Sequence, residues 1–214
     1  MWCFLASARL RHVVERHPDV HVEHRSFALA PDPSSISRMF GDPVAAKEEI
    51  MRHWAAAAAH PGGEAIDVAL MRSREFPYPY SMPSLLACKA AETQGGMAAH
   101  WDMFDRLQKA HAVEALNVAD ADVLASCAAD IGLDIARWQA DFQSAATRQA
   151  VMADLGEAQR LGVSAVPTVV FAGQWMLSGA VSEPVLEQAV LDVIEGRDPS
   201  SRQPGFRALR GFGR

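Results

Sequence analysis

The feature that most constrains the fold is how little of the chain has β character. One apolar β run stands out, at residues 163–173, and it contains a proline. A hairpin partner is predicted at residues 174–177, across a turn at Ala172-Gly173. Most of the remaining chain repeats apolar residues at helical spacing. The sequence therefore predicts an α/β protein in which helices greatly outnumber strands.

The segments before this run are predicted from periodicity and from turn residues. A first helix is expected over residues 4–15, and alternation of apolar and polar residues predicts a strand over residues 20–29. Asp42-Pro43 is a helix start, with aspartate as N-cap and proline in the first turn. Further helices are predicted from 81 or 82 to 94 and over residues 97–115, 120–131, 134–143 and 146–161.

The order of these elements predicts how the chain divides into domains. Residues 1–33 and 144–196 are expected to form one α/β domain, and residues 34–143 are expected to be a helical insertion in it. A last helix should begin at Ser182-Glu183-Pro184 and close before Gly196. Residues 197–214 carry five arginines against one aspartate, and we expect them to be a flexible tail.

Composition excludes several classes of protein. Of the 214 residues, 50% are hydrophobic and 21% are charged, which is typical of a folded globular chain and not of a disordered one. The formal net charge of -6 offers no overall basic face for nucleic acid. No uninterrupted apolar run is long enough to span a bilayer. We therefore expect neither nucleic acid nor a membrane as a partner.

Cysteine usage bears on the compartment. The chain has three cysteines, too few and too scattered for the disulfide framework of a small secreted domain, and the odd count leaves at least one free thiol. No basic segment followed by a long apolar stretch precedes Arg9, so no signal peptide is predicted. These observations predict a protein of the reducing cytoplasm.

Cys3 is the first candidate for chemistry, because it lies at or just before the start of the first predicted helix. Unpaired backbone N–H groups and the helix dipole favour an anion there. A thiolate in such a place has a lowered pKa and becomes a competent nucleophile. The alternative is a small buried apolar residue. Position alone leaves these two interpretations equally supported.

Val166, Pro167 and Thr168 are the second candidate. A proline within a β run forfeits one hydrogen bond of the ladder, so it belongs at an edge or a bend. A cis Val166–Pro167 bond would expose the backbone N–H and C=O of Val166 to an extended peptide or to the backbone of a small thiol. The alternative is an ordinary trans proline on an edge strand.

The remaining candidates are weaker. His17, His21 and His24 lie close in sequence, but no cysteine or carboxylate completes a known ligand spacing. Solvated or packed roles are therefore expected for them, and no metal site is predicted. Cys88 and Cys127 lie within predicted helices among apolar neighbours, and we interpret both as buried structural cysteines.

Four segments taken together resemble one protein family. The resemblance is to DsbA-like thioredoxin-fold proteins, specifically the cytoplasmic FrnE-type branch, which shares its architecture with 2-hydroxychromene-2-carboxylate isomerases and kappa-class glutathione transferases. It extends to about Arg197 and implies a thioredoxin fold with a large all-helical insertion. The resemblance rests on residues 2–6 (WCFLA), 24–29 (HRSFAL), 98–101 (AAHW) and 162–168 (GVSAVPT). Core packing is expected for His100 and Trp101 in the third segment.

The resemblance implies a thiol–disulfide oxidoreductase that acts on protein thiols or small-thiol disulfides. Cys3 and Pro167 would be the catalytic residues, with the proline opposite the thiol. Trp2, Val166 and Thr168 would contact the substrate. No metal or nucleotide is implied, and the cofactor to consider is glutathione or another low-molecular-weight thiol. The substrate and the oligomeric state stay open.

The chain departs from the family pattern at its start. Family members open with a strand that leads into a Cys-Pro-Trp-Cys motif, whereas this sequence reads Met1-Trp2-Cys3. Cys3 therefore aligns with the second, resolving cysteine, and the family's first strand and first cysteine are missing. One hypothesis is a start upstream of Met1, which would supply a Cys-Met-Trp-Cys motif. The other is a real truncation.

Two further functions remain open at this point. The same architecture supports isomerases and transferases that bind glutathione or a related thiol, where the thiol of the cofactor does the chemistry. A single cysteine in the site is compatible with that function. A truncated chain could also be an inactive binding module, which would show no turnover.

Overall fold

The structure is a computed structural model, and it describes residues 1–202 and 205–209. Helices dominate these residues, and three short strands follow residue 167. The helices are α1 Trp2–Arg16, α2 Ser35–Phe40, α3 Pro43–Ala58, α4 Val68–Ser73, α5 Ser81–Ala112, α6 Ala121–Asp130, α7 Ile135–Gln143, α8 Ala145–Leu161 and α9 Glu183–Ile194. The strands are β1 Thr168–Phe171, β2 Trp175–Ser178 and β3 Phe206–Ala208, and a short 3-10 helix spans Pro199–Ser201.

The chain forms two compact units. We call the first the helical unit; it comprises Met1 and residues 22–158. We call the second the sheet unit; it comprises residues 2–21 and the chain from Gln159 onward. These divisions differ from the predicted boundaries at 33/34 and 143/144, because residues 22–33 and most of α8 pack with the helical segment. No helix within the described residues is long and apolar enough to cross a membrane.

Aspartate side chains begin four helices of the helical unit. Asp42 accepts hydrogen bonds from the backbone N–H groups of Val44 and Ala45, as its position before Pro43 predicts. Asp67, Asp120 and Asp134 accept equivalent bonds at α4, α6 and α7. Each bond satisfies an N–H group that has no partner within the helix. The starts of these helices are therefore encoded locally.

Helix α5 consists of two helical segments that meet at a glycine pair. Gly95 and Gly96 have non-helical dihedrals, and Gly96 has φ +64°, a conformation that suits glycine. This break separates the two helices predicted at 82–94 and 97–115. The core of the helical unit lies against both segments. It includes Ala87, Cys88, Met103, Leu107, Leu124, Cys127 and Trp138.

The sheet unit contains one antiparallel sheet with the order β1-β2-β3. The hairpin from β1 to β2 forms as predicted, because Ala172 and Gly173 both have the positive φ that a tight hairpin turn requires. One face of the sheet packs with α1 and α9. The core comprises Val13, Phe171, Leu177, Leu186, Ala189 and Val190.

The strand predicted over residues 20–29 does not form in the structure. Its side chains alternate in exposure, but the structure pairs it with no neighbouring strand among the described residues, and two of its backbone N–H groups bond to side chains. The N–H of Ser26 donates to Asp154 at 2.8 Å, and that of His24 donates to the sulfur of Met97 at 3.4 Å. Periodicity reports which side chains are buried, but a strand also needs a partner ladder.

The tail predicted to be flexible from residue 197 is held in place where the structure describes it. Arg197 pairs at 2.9 Å with Asp192, which is fully buried on α9. Beyond the 3-10 helix, β3 pairs with β2, and the N–H of Leu209 donates to the carbonyl of Gln174 at 2.7 Å. Residues 197–202 and 205–209 are therefore attached to the sheet unit, and the flexibility of the tail stays a prediction. Residues 203–204 and 210–214 lie outside the described residues.

Candidate thiol site

Cys3 is the second residue of α1, and its thiol is free and half-buried. Burial raises the pKa of this thiol above its usual value. The expectation of a lowered pKa was therefore wrong. The free-energy cost of removing the thiolate from water exceeds the stabilisation that the first N–H groups of α1 give to the thiolate. Unlike the other two cysteines, the residue as a whole is partly exposed, although its thiol is mostly protonated at neutral pH.

The other two cysteines are buried in the helical unit, as predicted. Burial raises the pKa of Cys88 to about 12 and also raises the pKa of Cys127. Both are free thiols within the apolar core, so the structure contains no disulfide between them. Neither supplies an accessible second thiol.

The Val166–Pro167 peptide bond is cis, as the sequence analysis anticipated. Both residues are half-buried and lie just before β1. The carbonyl of Pro167 accepts a hydrogen bond from the N–H of Gly179 at 2.8 Å. Among the described residues, nothing forms a backbone hydrogen bond with the N–H or C=O of Val166. Both groups are therefore available to an extended ligand.

Thr168 holds this loop to the neighbouring strand. Its hydroxyl donates to the carbonyl of Ala165 at 2.8 Å and lies 2.8 Å from the hydroxyl of Ser178 on β2. These two bonds use the polar atom of the Thr168 side chain within the protein. The contact of Thr168 with a substrate stays a prediction.

Arg9 connects the helix of Cys3 to the same part of the sheet unit. Its guanidinium donates to the carbonyls of Ala180 and Val181, at 2.8 and 2.9 Å. These carbonyls follow Gly179 directly, and Gly179 in turn bonds to Pro167. Arg9 was not among the predicted site residues, because an arginine on a helix has no distinguishing pattern in the sequence.

The sheet unit thus contains all five predicted site residues. Trp2 and Cys3 begin α1, while Val166, Pro167 and Thr168 lead into β1. Trp2 is half-buried beside the thiol-bearing residue. The unit therefore combines one accessible thiol with one loop whose backbone is open to a ligand.

The three histidines considered for a metal site have other partners or positions. His24 packs in the helical unit with its ring centroid 5.3 Å from that of His100 and 4.8 Å from that of Trp101. His17 pairs with Glu187 at 3.2 Å, and His21 is exposed. Within the described residues, no three histidine, cysteine, aspartate or glutamate side chains are grouped so that they could hold a metal ion. The core roles expected for His100 and Trp101 are confirmed.

A buried charge network in the helical unit went unnoticed at the sequence level. The ammonium group of Lys89 lies 3.0 Å from Asp154 and 2.9 Å from Glu92. Glu92 also accepts a 2.7 Å hydrogen bond from Nδ1 of His100, because a carboxylate can only accept. Burial lowers the pKa of His100. Lys89 lies in an apolar stretch, and this is the one signal that marks the network in the sequence.

Comparison with known proteins identifies the family to which the chain belongs. A model described as "DSBA-like thioredoxin domain" matches residues 1–191, which is most of the chain. The chain belongs to the DsbA-like thioredoxin family. Its two compact units are consistent with the predicted thioredoxin fold that carries a large helical segment.

The individual relatives of this DsbA-like chain carry names that refer to different roles. The ClpXP adapter protein SpxH of Shouchella clausii is 35% identical over 94 residues, which cover 44% of this chain and 30% of SpxH. The chain thus matches only about a third of the length of the first curated relatives. What these relatives do as whole proteins is therefore not transferred here.

Two solved structures share the fold over nearly the full chain. The probable DsbA oxidoreductase SCO1869 of Streptomyces coelicolor has a TM-score of 0.72 and 24% identity, and the match covers 92% of this chain and 87% of that one. The cytosolic disulfide reductase DsbM of Pseudomonas aeruginosa has a TM-score of 0.63 and 20% identity, with coverage of 91% and 93%. DsbM has also been solved with GSH.

Proposed function

We propose that this DsbA-like protein exchanges thiols and disulfides through Cys3, with glutathione or another small thiol as co-reactant. One observation carries the proposal: the single accessible thiol lies in the same compact unit as a cis-proline loop with open backbone groups. The family membership and the disulfide-related descriptions of SCO1869 and DsbM support it.

The exchange proceeds in two half-reactions. The Cys3 thiolate attacks one sulfur of a substrate disulfide, whose sulfur–sulfur bond breaks, and the departing sulfur takes up the proton that Cys3 released. A second thiol then attacks the mixed disulfide and restores the Cys3 thiol. That second thiol, for which DsbM solved with GSH suggests glutathione, ends in a new disulfide. No internal second cysteine is needed for this cycle.

The loop residues and Trp2 supply binding in this proposal. The N–H and C=O of Val166 would pair with the backbone of a peptide or of glutathione by adding it to the strand. Pro167 would pack opposite Cys3, and Trp2 would shape the surface beside the thiol. The substrates are protein thiols or small-thiol disulfides, and we place the reaction in the cytoplasm, where free cysteines persist.

A thiol-dependent isomerase or transferase is the second candidate, and one observation favours it. Burial raises the pKa of Cys3, so little of it is thiolate at neutral pH. In an isomerase related to the 2-hydroxychromene-2-carboxylate enzymes, the reactive thiol belongs to the cofactor. The FrnE-type and isomerase-type relationships thus differ in which thiol reacts.

The test is glutathionylation followed by turnover. Wild-type protein and the variants Cys3→Ser and Cys127→Ser are incubated with oxidised glutathione, and intact mass is recorded. We expect one adduct on the wild type and on Cys127→Ser, and none on Cys3→Ser. Because the pKa of Cys3 is raised, we also expect the rate of adduct formation to increase steadily into the alkaline range.

Reduction of a small disulfide by glutathione is then followed with the same proteins. We expect turnover by the wild type and by Cys127→Ser only. Equal adduct formation and turnover by Cys3→Ser would contradict the proposal. An adduct on Cys3 without turnover would favour a binding role, of the kind that the adapter description of SpxH suggests for that protein.

A further inference from the structure

The family match ends at residue 191, but the folded chain continues beyond it. The 3-10 helix and β3 belong to this later segment, and β3 adds a third strand to the sheet. On β3, Phe206 is opposite Leu177 and Arg207 is opposite Met176. The Phe206 ring also lies 5.7 Å from that of Phe171 in the core of the sheet unit. The segment is therefore anchored well enough to place a side chain.

The side chain of Arg207, on this anchored strand, forms hydrogen bonds with the end of α8. One terminal nitrogen of its guanidinium, Nη2, donates to the carbonyl of Leu161 at 2.9 Å and to that of Gly162 at 3.1 Å. The last carbonyls of a helix have no partner within it, and a cation there also meets the negative end of the helix dipole. Arg207 thus caps the helix that leads into the cis-proline loop.

The backbone at Gly162 is shaped for this contact. Gly162 has φ +67°, and its N–H donates to the carbonyl of Gln159 at 3.0 Å, which closes the helix. A Cβ atom at this position would lie 3.2 Å from Nη2 of Arg207, closer than an ordinary contact. The missing side chain therefore lets the guanidinium approach the backbone directly.

Only residues 163–166 separate this cap from Pro167. At its other end the loop is held by the bond from the N–H of Gly179, just after β2, to the carbonyl of Pro167, and by the hydroxyl of Thr168, which lies 2.8 Å from that of Ser178 on β2. The loop thus has two attachment points, one on β2 and one on the guanidinium of Arg207. A short segment fixed at both ends has little freedom to move its backbone groups.

We propose that Arg207 is a positioning residue for the backbone of Val166 and Pro167, supplied by a segment that lies beyond the family-matched region. The inference rests on the proposed function for its consequence on substrate binding, because Val166 is the residue proposed to pair with the substrate. Its structural part, the restraint of the loop, is independent of that function.

The test uses Arg207→Ala and Arg207→Lys, with Arg160→Ala as matched control. Arg160 lies in the last turn of the same helix and is exposed, and within the described residues its side chain makes no hydrogen bond or ion pair. Its removal takes the same charge from the same helix end and leaves the loop untouched. Circular dichroism first establishes that each variant is folded.

The first readout is hydrogen exchange by NMR at two amides. The Gly162 amide reports on the helix end and the Gly179 amide reports on its bond to Pro167. Since Arg207 is exposed, we expect a modest effect: exchange of both amides roughly fivefold faster in Arg207→Ala and unchanged in Arg160→Ala. Lysine can replace only part of the planar guanidinium group, so the exchange rates in Arg207→Lys should lie between those of the wild type and those of Arg207→Ala.

The second readout is the glutathione-dependent exchange reaction. We expect KM for the disulfide to rise roughly fivefold in Arg207→Ala with kcat unchanged, because the loss concerns binding geometry and not the thiol. An unchanged rate of Gly179 exchange in Arg207→Ala would overturn the proposal, whatever the activity. If the wild type shows no thiol exchange, the proposed function fails, and the Gly179 rate alone still decides the role of Arg207.

Discussion

Each compact unit contains a network of opposite charges at similar distances, but in different surroundings. In the helical unit, Lys89 and Asp154 lie 3.0 Å apart, and their side chains are 5% and 6% exposed. In the sheet unit, Arg16 of α1 lies 2.9 Å from Glu183 and 2.8 Å from Glu187 of α9, with side chains 30–43% exposed. Distance alone therefore does not distinguish the two networks.

Burial decides what each network contributes. An exposed ion pair is screened by water and salt, and its net contribution to stability is small. A buried pair has lost the hydration of both ions, so it gains little over an apolar pair, but removing one partner leaves an uncompensated charge. Loss of one partner should therefore reduce the free energy of unfolding far more in the buried network than in the exposed one.

The largest effect is expected for Asp154→Asn. The change leaves Lys89 buried with one carboxylate fewer and weakens the acceptor of the Ser26 N–H, which bonds to Asp154 at 2.8 Å. We expect a loss of about 3–5 kcal/mol in the free energy of unfolding, measured by urea denaturation. The control is Glu157→Gln, which removes the 3.4 Å partner of exposed Arg25 and should cost less than about 1 kcal/mol.

A double variant tests the cause of that loss. Lys89→Met combined with Asp154→Leu removes both charges of the buried pair, and Glu92 keeps its hydrogen bond from His100. We expect it to be more stable than Asp154→Asn, although not fully restored, because leucine removes the acceptor of the Ser26 N–H that asparagine only weakens. A double variant as unstable as the single one would show that charge burial is not the cause.

The second-largest effect is expected on the stability of the helical unit at acidic pH. His111 is buried, and burial lowers its pKa to about 4. Trp54 donates to the Tyr78 hydroxyl at 3.0 Å, which lies 3.1 Å from Nε2 of His111, while Nδ1 faces the carbonyl of Leu116. Since burial raises the pKa of Tyr78 to about 12, its hydroxyl stays protonated and can donate to a neutral imidazole. The folded helical unit therefore disfavours the protonated ring.

The pH window follows from this shift. An unfolded histidine titrates near 6.5, so the unfolded state takes up a proton first as pH falls. The contribution of His111 to stability should be constant above about pH 6.5 and decline by roughly 3 kcal/mol towards pH 4. Urea unfolding at a series of pH values measures this decline. His111→Gln should remove this part of the decline and leave the part due to His100, whose pKa burial also lowers, whereas exposed His53→Gln should leave the profile as in the wild type.

The sheet unit should respond at lower pH. Hydrogen bonds from His12 and Arg16 lower the pKa of Glu183, and Arg16 lowers that of Glu187. A carboxylate with a lowered pKa stabilises above its usual value of about 4.3 and loses that contribution only below it. Amide exchange should therefore accelerate in the helical unit before it does in α1 and α9. The reverse order would contradict the comparison.

The smallest effect is expected for Arg16→Ala. The exposed pairs to Glu183 and Glu187 should together contribute little to the free energy of unfolding, and high salt should reduce this further. Urea unfolding at low and high salt measures both. Arg148→Ala is the matched control, since it removes an exposed arginine that makes no ion pair within the described residues. A loss as large as that of Asp154→Asn would abolish the distinction between the networks.

Several elements could be predicted because their signals are local. Asp42-Pro43 starts α3, Gly95-Gly96 breaks α5, and Ala172-Gly173 turns the hairpin, each through the conformational preference of the residues themselves. The motif at residues 162–168 and the helix start at Cys3 also led to the family that the comparisons support.

The errors share one physical origin. The segment at residues 20–29 has the alternation of a strand, yet two of its amides bond to the side chains of Asp154 and Met97, far away in sequence. Helix-start geometry predicts a lowered pKa for Cys3, yet the surrounding burial raises it. In both cases the deciding groups are distant along the chain, so no local pattern contains them.

The sequence by itself determined where most helices begin and end, the cis-proline hairpin, the buried character of Cys88 and Cys127, and the DsbA-like family. Only the tertiary structure decided that Lys89 meets Asp154, that Thr168 uses its hydroxyl internally, and that Arg207 caps the helix before the loop. The reason is physical: helix caps and turns depend on neighbouring residues, whereas burial, ion pairing and pKa depend on what the folded chain brings together.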